Sequence, residues 1–404
     1  MRNELIFRGR LVSATMDVAD GLLAVDGGLV NYAGPASKFP GQPAHAHGGE
    51  QQRILLPGLV DLHCHGALGS DFSGGSLDGA RSAARYLHSR GTTTLLASLV
   101  TATPDDLFRN LEALRTLTNE GLVAGAHLEG PFLSQEQCGA HDPALLLEPD
   151  AALMARLLDA SGPHLVSVTL AAELSGAVKL AEMLAVRGII PSLGHTAADV
   201  STAAAFLEAA AAGLAAPSNP TGRVRPTVTH LFNAMPSFHH RSPGPVAASL
   251  SAARAGNAVV ELIADGVHLA PETVKLVFEL VGAENIALVT DSMAATGLQA
   301  GHYRLGAMAV TVEGGEARVD GSGAIAGGTA TLLDVVRAAV AAGVTLQEAT
   351  TAASAVPASV LGLSGQVGDL REGMHADVVV VDEDLQLAGV LRRGEWATPP
   401  AWGT

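Results

Sequence analysis

The chain is poor in cysteine, in basic residues and in long apolar runs, and each shortage excludes something. Cys64 and Cys138 are its two cysteines, too few for a disulfide framework and suited to a reducing compartment. Lys and Arg number 24 against 40 Asp and Glu, a formal charge of −16. Such a surface repels nucleic acid and anionic membranes. An anionic small substrate would need a local cluster of cations. No stretch approaches the roughly 20 apolar residues of a membrane span. The start, MRNELIFRGRLVSATMD, lacks the apolar core of a signal peptide. A soluble cytoplasmic protein is expected, with neither nucleic acid nor membrane as partner. Charged residues make up 16% of the chain and hydrophobic ones 48%, which argues against disorder and allows a large core.

What is present is organised around Leu56–Asp71, LPGLVDLHCHGALGSD. The apolar run Ile54–Val60 reads as one buried strand that ends at His63 and His65. Side chains alternate along a strand, so these two histidines share a face and Cys64 points the other way. Two imidazoles on one face can grip one metal ion.

Beyond this stretch, apolar runs alternate with helical patterns. Strands are predicted over 56–62, 92–98, 123–128, 165–171, 188–193, 227–232, 258–264 and 286–290. Helices are predicted over 78–89, 104–117, 150–158, 175–187, 197–212, 245–254, 271–281 and 329–342. This is the α/β pattern of a (β/α)8 TIM barrel. Residues 302–320 read as an inserted hairpin, with strands over 309–312 and 317–319. Short strands near both chain ends are expected to pair into a small β-sandwich domain. The expected division is 1–54 plus 364–404 for that domain and 55–363 for the barrel, with residues 34–52 as a linker.

In such a barrel the chemistry sits at the C-terminal ends of the strands. The first exit carries His63 and His65, the third His127 and Glu129, and the fifth His195. The sixth carries His230, the seventh Asp265 and His268, the eighth Asp291. The second and fourth supply no obvious ligand. Neutral imidazole and carboxylate together suit divalent Zn, Fe, Mn or Co, so the pattern points to a metal hydrolase. Leu165–Glu173 holds no lysine to bridge two metals, which leaves Glu129 as the bridging carboxylate.

From about residue 54 onward the sequence resembles the amidohydrolase superfamily, and within it the N-acetylglucosamine-6-phosphate deacetylases. The motifs that carry the resemblance are PGLVDLHCHG (57–66), HLEGPFL (127–133), GAHDP (139–143), SLGHT (192–196), THLFNAM (229–235), ADGVHL (264–269) and VTDSMAATG (289–297). The resemblance implies that Glu129, His195 and His230 hold the main metal, and that His63 and His65 match a pair that holds a second one in some members. One or two divalent ions per subunit are expected, zinc first, with Fe, Mn, Co or Cd as alternatives. It further implies that Asp291 is the catalytic acid/base and that His141 polarises the acetamide carbonyl. Ala140, Asn233, Ala234, Ile325, Ala326 and Gly327 match residues that contact the sugar. His268 and Arg241 match phosphate ligands, with Arg241 contributed to the neighbouring active site of a homodimer. The loop Glu136-Gln137-Cys138 departs from relatives that carry basic residues there.

The reaction these expectations describe is hydrolysis of the acetamide of N-acetyl-D-glucosamine 6-phosphate to glucosamine 6-phosphate and acetate, in amino-sugar catabolism. Two other readings stand beside it: an amidohydrolase acting on a cyclic amide or an N-acylated amino acid, and a non-catalytic metal-binding barrel.

Overall fold

The computed structural model describes residues 5–40, 53–74 and 76–401. Most of the expected linker over 34–52 lies outside them. Eight parallel strands follow one another in chain order: β1 (Leu59–Asp61), β2 (Thr92–Val100), β3 (Gly125–Glu129), β4 (Leu165–Leu170), β5 (Ile190–Leu193), β6 (Thr227–Val228), β7 (Val259–Leu262) and β8 (Ile286–Leu288). Nearly every residue in them is buried, as expected for a parallel sheet covered on both faces, and this is why the strands read as apolar runs without alternation. The helices show the opposite signature. Over Pro104–Asn119, Leu107, Leu111, Leu114 and Leu117 make one buried stripe. Thr103 caps this helix by accepting a hydrogen bond from Asp106 N, and Pro104 takes the first position.

The run Ile54–Val60 is not one barrel strand. Ile54–Pro57 pairs with Val378–Val381 and, at Arg10 and Leu11, with the N-terminal strand. Only Leu59–Asp61 joins the barrel, beside β2. A strand buried in either sheet has the same composition, so the switch leaves no mark in the pattern. It happens at Gly58, where a Cβ would sit 2.1 Å from Thr93 Oγ1 and 2.7 Å from Asp377 Cβ; only glycine fits between the two sheets.

The strands from both chain ends form one continuous seven-stranded mixed sheet. Its core includes Phe7, Leu11, Leu23, Leu55, Val378 and Leu391. The insertion expected as a hairpin has three strands, Gly301–Leu305, Met308–Glu313 and Glu316–Val319. Two helices absent from the sequence reading, Leu346–Ala353 and Ala355–Val360, follow the last barrel helix. Val356, Ala358 and Val360 pack with Val60, Leu96, Val166, Ile190 and Val259 in one core cluster. No described helix is long and apolar enough to cross a membrane.

Candidate active site

The strand exits converge on Glu129. Its Oε1 lies 3.1 Å from His195 Nε2 and 3.0 Å from His230 Nε2; its Oε2 lies 3.2 Å from His65 Nε2 and 3.3 Å from His141 Nε2. Asp291 Oδ1 is 3.1 Å from His65 Nε2 and 3.5 Å from His63 Nε2. Two groups of ligand atoms result, Glu129–His195–His230 and His63–His65–Asp291.

Three of these residues have left-handed backbones: His195 (φ 46°), His230 (φ 27°) and Asp291 (φ 48°). Such conformations cost about 1–3 kcal/mol each and persist where the surroundings enforce them. At the exit of β5 the enforcement is visible. A Cβ on Gly194 would meet Thr229 Cβ at 2.6 Å and Thr169 Cγ2 at 2.8 Å, so the chain turns there with no side chain and delivers His195.

The hydrogen bonds at Nδ1 sort the imidazoles. His195 Nδ1 lies 2.8 Å from the carbonyl of Gln137, and His63 Nδ1 lies 3.2 Å from Glu261 Oε2. Both partners are acceptors, so each Nδ1 carries the proton and each Nε2 presents a lone pair. His141 is the reverse. Thr101 N–H donates to His141 Nδ1 at 3.3 Å, so the proton of neutral His141 sits on Nε2, facing the cavity as a donor.

Burial disfavours charge on Glu129 and Asp291, but the surrounding imidazoles outweigh it and hold both carboxyls below their ordinary range. Burial pushes His141 down to about 4 against the pull of Glu129. It also opposes charge on His65, yet Asp291 and Glu129 raise that group to about 9. The site is therefore built to stabilise positive charge. Its donor set fits a divalent cation: the Nε2 atoms of His195 and His230 are 3.1 Å apart, those of His63 and His65 3.0 Å. A tetrahedral zinc site with 2.0–2.1 Å arms has edges of about 3.3 Å.

A cavity of about 240 Å³ opens over this centre. A model of the amidohydrolase family matches residues 54–397, which span the barrel and every ligand candidate.

The chain belongs to the amidohydrolase family.

Amidohydrolases are metal-dependent, in keeping with the clustered ligands. Among curated relatives, an N-acetylglucosamine-6-phosphate deacetylase of Danio rerio is 35% identical over 356 residues, 85% of this chain and 84% of that protein. An N-acetylgalactosamine-6-phosphate deacetylase of Escherichia coli is 33% identical over 350 residues, 85% of this chain and 88% of that protein. A solved structure of a mutant N-acetyl-D-glucosamine-6-phosphate deacetylase from Mycobacterium smegmatis, in complex with N-acetyl-D-glucosamine-6-phosphate, has a TM-score of 0.89 at 37% identity. It covers 98% of this chain and 99% of that one.

In this amidohydrolase the cavity brings together His65, Glu129, Ala140, His141, His195, His230, Asn233, Ala234, His268, Asp291, Ile325 and Gly327. His63 sits behind it, fully buried. Ala326 does not line it. Its N–H donates to Ala317 O at 2.9 Å, and its side chain packs with the inserted sheet. Arg241 does not line it either; it is exposed, with Nη1 2.8 Å from His240 Nε2. His268 is held by Asp265, whose Oδ2 is 2.8 Å from Nδ1. Burial disfavours charge there, but Asp265 outweighs it and raises His268.

Sequence reasoning missed several participants. Thr101, at an exit thought to be empty, acts through its backbone. Glu173, at the other such exit, accepts from Thr196 Oγ1 and from Ala197 N, fixing the loop that follows His195. Gly139, Leu305 and Ala324 complete the cavity wall. His127 is no cavity residue: its ring nitrogens meet Ser98 Oγ at 3.0 Å and Thr169 Oγ1 at 2.8 Å.

Proposed function

We infer that this amidohydrolase hydrolyses the acetamide of an N-acetylated hexosamine 6-phosphate, N-acetyl-D-glucosamine 6-phosphate first, releasing acetate and the amino-sugar phosphate. One observation carries the reading. A proton donor, His141 Nε2, and a carboxylate, Asp291, line the same cavity around the Glu129 centre. This is the pair that amide hydrolysis requires. The relatives' substrates support the choice of sugar.

Glu129, His195 and His230 would hold the main cation, with zinc favoured by their N and O donors, and His63 and His65 a second. A divalent cation bound there lowers the pKa of water and polarises a carbonyl. Asp291, ionised, accepts the proton of the attacking water as its oxygen bonds to the carbonyl carbon. His141 donates to the carbonyl oxygen as charge gathers on it, a kind of interaction worth about 3–4 kcal/mol per donor. Asp291 then gives the proton to the nitrogen as the C–N bond breaks, because an unprotonated amide anion is too basic to leave.

His268 supplies positive charge for the phosphate from within the chain. Arg241 supplies it from a second subunit. The reading is supported by the exposure of Arg241 outside its own cavity and by Phe238 in the same loop, 56% exposed. An exposed aromatic beside an unused arginine suits a loop that docks elsewhere. The reading includes a homodimer in a cytoplasmic setting.

The test is acetate release by metal-stripped protein given one divalent ion at a time. The substrates are N-acetylglucosamine 6-phosphate, its galactosamine epimer and unphosphorylated N-acetylglucosamine. Turnover of the first above the others is expected. Equal turnover with and without phosphate, or none with any ion, overturns the reading.

A further inference from the structure

β7 is buried at every position, yet it carries a glutamate. A carboxylate in such a strand is costly unless it is partnered. The Oε2 of Glu261 is 3.2 Å from His63 Nδ1 and 3.3 Å from the backbone N of His230. His63 belongs to one ligand group and His230 to the other, while Glu261 belongs to neither. One oxygen atom therefore touches a member of each group from behind.

We propose that Glu261 is a positioning residue that forms the second cation site and ties it to the first. The proposal rests on the two-cation reading above. By accepting at Nδ1, Glu261 fixes the proton of His63 there and turns its Nε2 lone pair towards His65 Nε2, 3.0 Å away. An acceptor behind an imidazole also raises its strength as a ligand. Of the two histidines in this group, His63 alone is set in this way; His65 Nδ1 has no hydrogen-bond partner. The lone-pair geometry of the pair thus depends on one carboxylate. At the main site the same oxygen accepts the N–H of His230, whose Nδ1 is likewise without a partner. There it holds the left-handed backbone that aims the ring. His195 depends on it less, since the carbonyl of Gln137 fixes that ring.

The test measures metal binding, not turnover. Metal-stripped wild type, E261Q and E261A are titrated with Zn²⁺ against a chromophoric chelator. Co²⁺ absorption spectra report the ligand geometry, and thermal melts report folding. The wild type should take two equivalents. E261A should weaken the second by about 10–100-fold, the usual effect of removing such a partner, and the first by less. E261Q should recover part of the second, because its amide oxygen can still accept from Nδ1–H. Two unchanged equivalents in E261A overturn the proposal. So does equal weakening of both alongside a lowered melting temperature, the mark of a merely structural glutamate. A wild type that takes a single equivalent refutes the two-cation reading itself, and the proposal with it.

Discussion

The backbone N–H of Asp291 donates to the carbonyl of His63 at 2.9 Å. No ladder of strand hydrogen bonds joins β1 to β8; the ring closes just beyond them instead. His65 N donates to Ser292 O at 2.7 Å, and Asp61 Oδ2 accepts from Thr290 Oγ1 at 2.7 Å. The bonds that shut the barrel therefore also set the distance between the His63–His65 pair and the carboxylate opposite. Fold closure and site geometry are one constraint, and a change that loosens the seam should disturb the chemistry before it disturbs the core.

Asp291→Asn keeps the size of the side chain and removes the base. Because Asp291 is not a member of the candidate group Glu129–His195–His230, the variant should retain a metal held there. Turnover should fall by about 10³-fold or more. Acetate release and metal content on the same preparation decide; substantial residual activity shows that another group moves the proton.

His141 differs from its neighbours in having a donor, Thr101 N–H, behind its ring. If its work is to donate from Nε2, His141→Gln should lower kcat by about 10²–10³-fold and leave metal stoichiometry intact. Loss of metal in this variant would make His141 a ligand and reverse the tautomer argument.

The order of the strands and the ligand candidates could be read from the chain because both rest on side-chain type: apolar runs for the strands, His, Glu and Asp at their exits. Ala140, His141, Asn233, Ala234, Ile325 and Gly327 are reached only through the family resemblance. What could not be read acts through something else. Thr101 works by its N–H, which every residue but proline has. Glu261 stands alone in an apolar strand, with no spacing partner to mark it. Ile54–Pro57 looks like barrel because burial in two different sheets demands the same residues. The strand Gly301–Leu305 has a single buried residue, Leu305, too little to register as a pattern. Arg241 is legible as a cation, but its use is suggested only by the family resemblance, since it lies exposed and lines no part of the cavity of its own chain.

His88 lies on the helix Leu77–Ser89, far from the ligands in sequence and buried. Burial and the Arg392 guanidinium push it down to about 4, although the carbonyls of Thr92 and Leu122 stand 2.7 and 2.9 Å from its ring nitrogens. An unfolded chain takes up this proton near pH 6.5, the native one only near 4. Stability should therefore be lost as pH falls through that window, by on the order of 3 kcal/mol. Other groups titrate there too, so the comparison is with His88→Gln, which can still donate to a carbonyl. Urea midpoints of the wild type should drop further than those of the variant between pH 7 and 4.5. Parallel curves would mean that His88 takes up its proton alike in both states, charged in the native one between the two carbonyls that flank its ring.

Arg241, like Ala326, is an expected site residue that does not line the cavity of its own chain. Arg241→Ala should raise KM for the phosphorylated sugar by about ten-fold or more, the worth of a charge-assisted pair, and leave the unphosphorylated sugar nearly unaffected. Equal effects on both would remove the phosphate role. Whether the arginine crosses to a second subunit needs a separate experiment. Preparations of Arg241→Ala and Asp291→Asn are each impaired, for different reasons. In a mixed dimer with crossing arginines, the site that keeps Asp291 receives its arginine from the partner that has one, and is whole. The other site lacks both groups. Unfolding the two preparations together and refolding them should therefore restore low KM at up to half the sites of each hybrid, while either variant refolded alone recovers nothing. If Arg241 serves its own chain, no pairing yields an intact site, and the mixture stays as impaired as its parts.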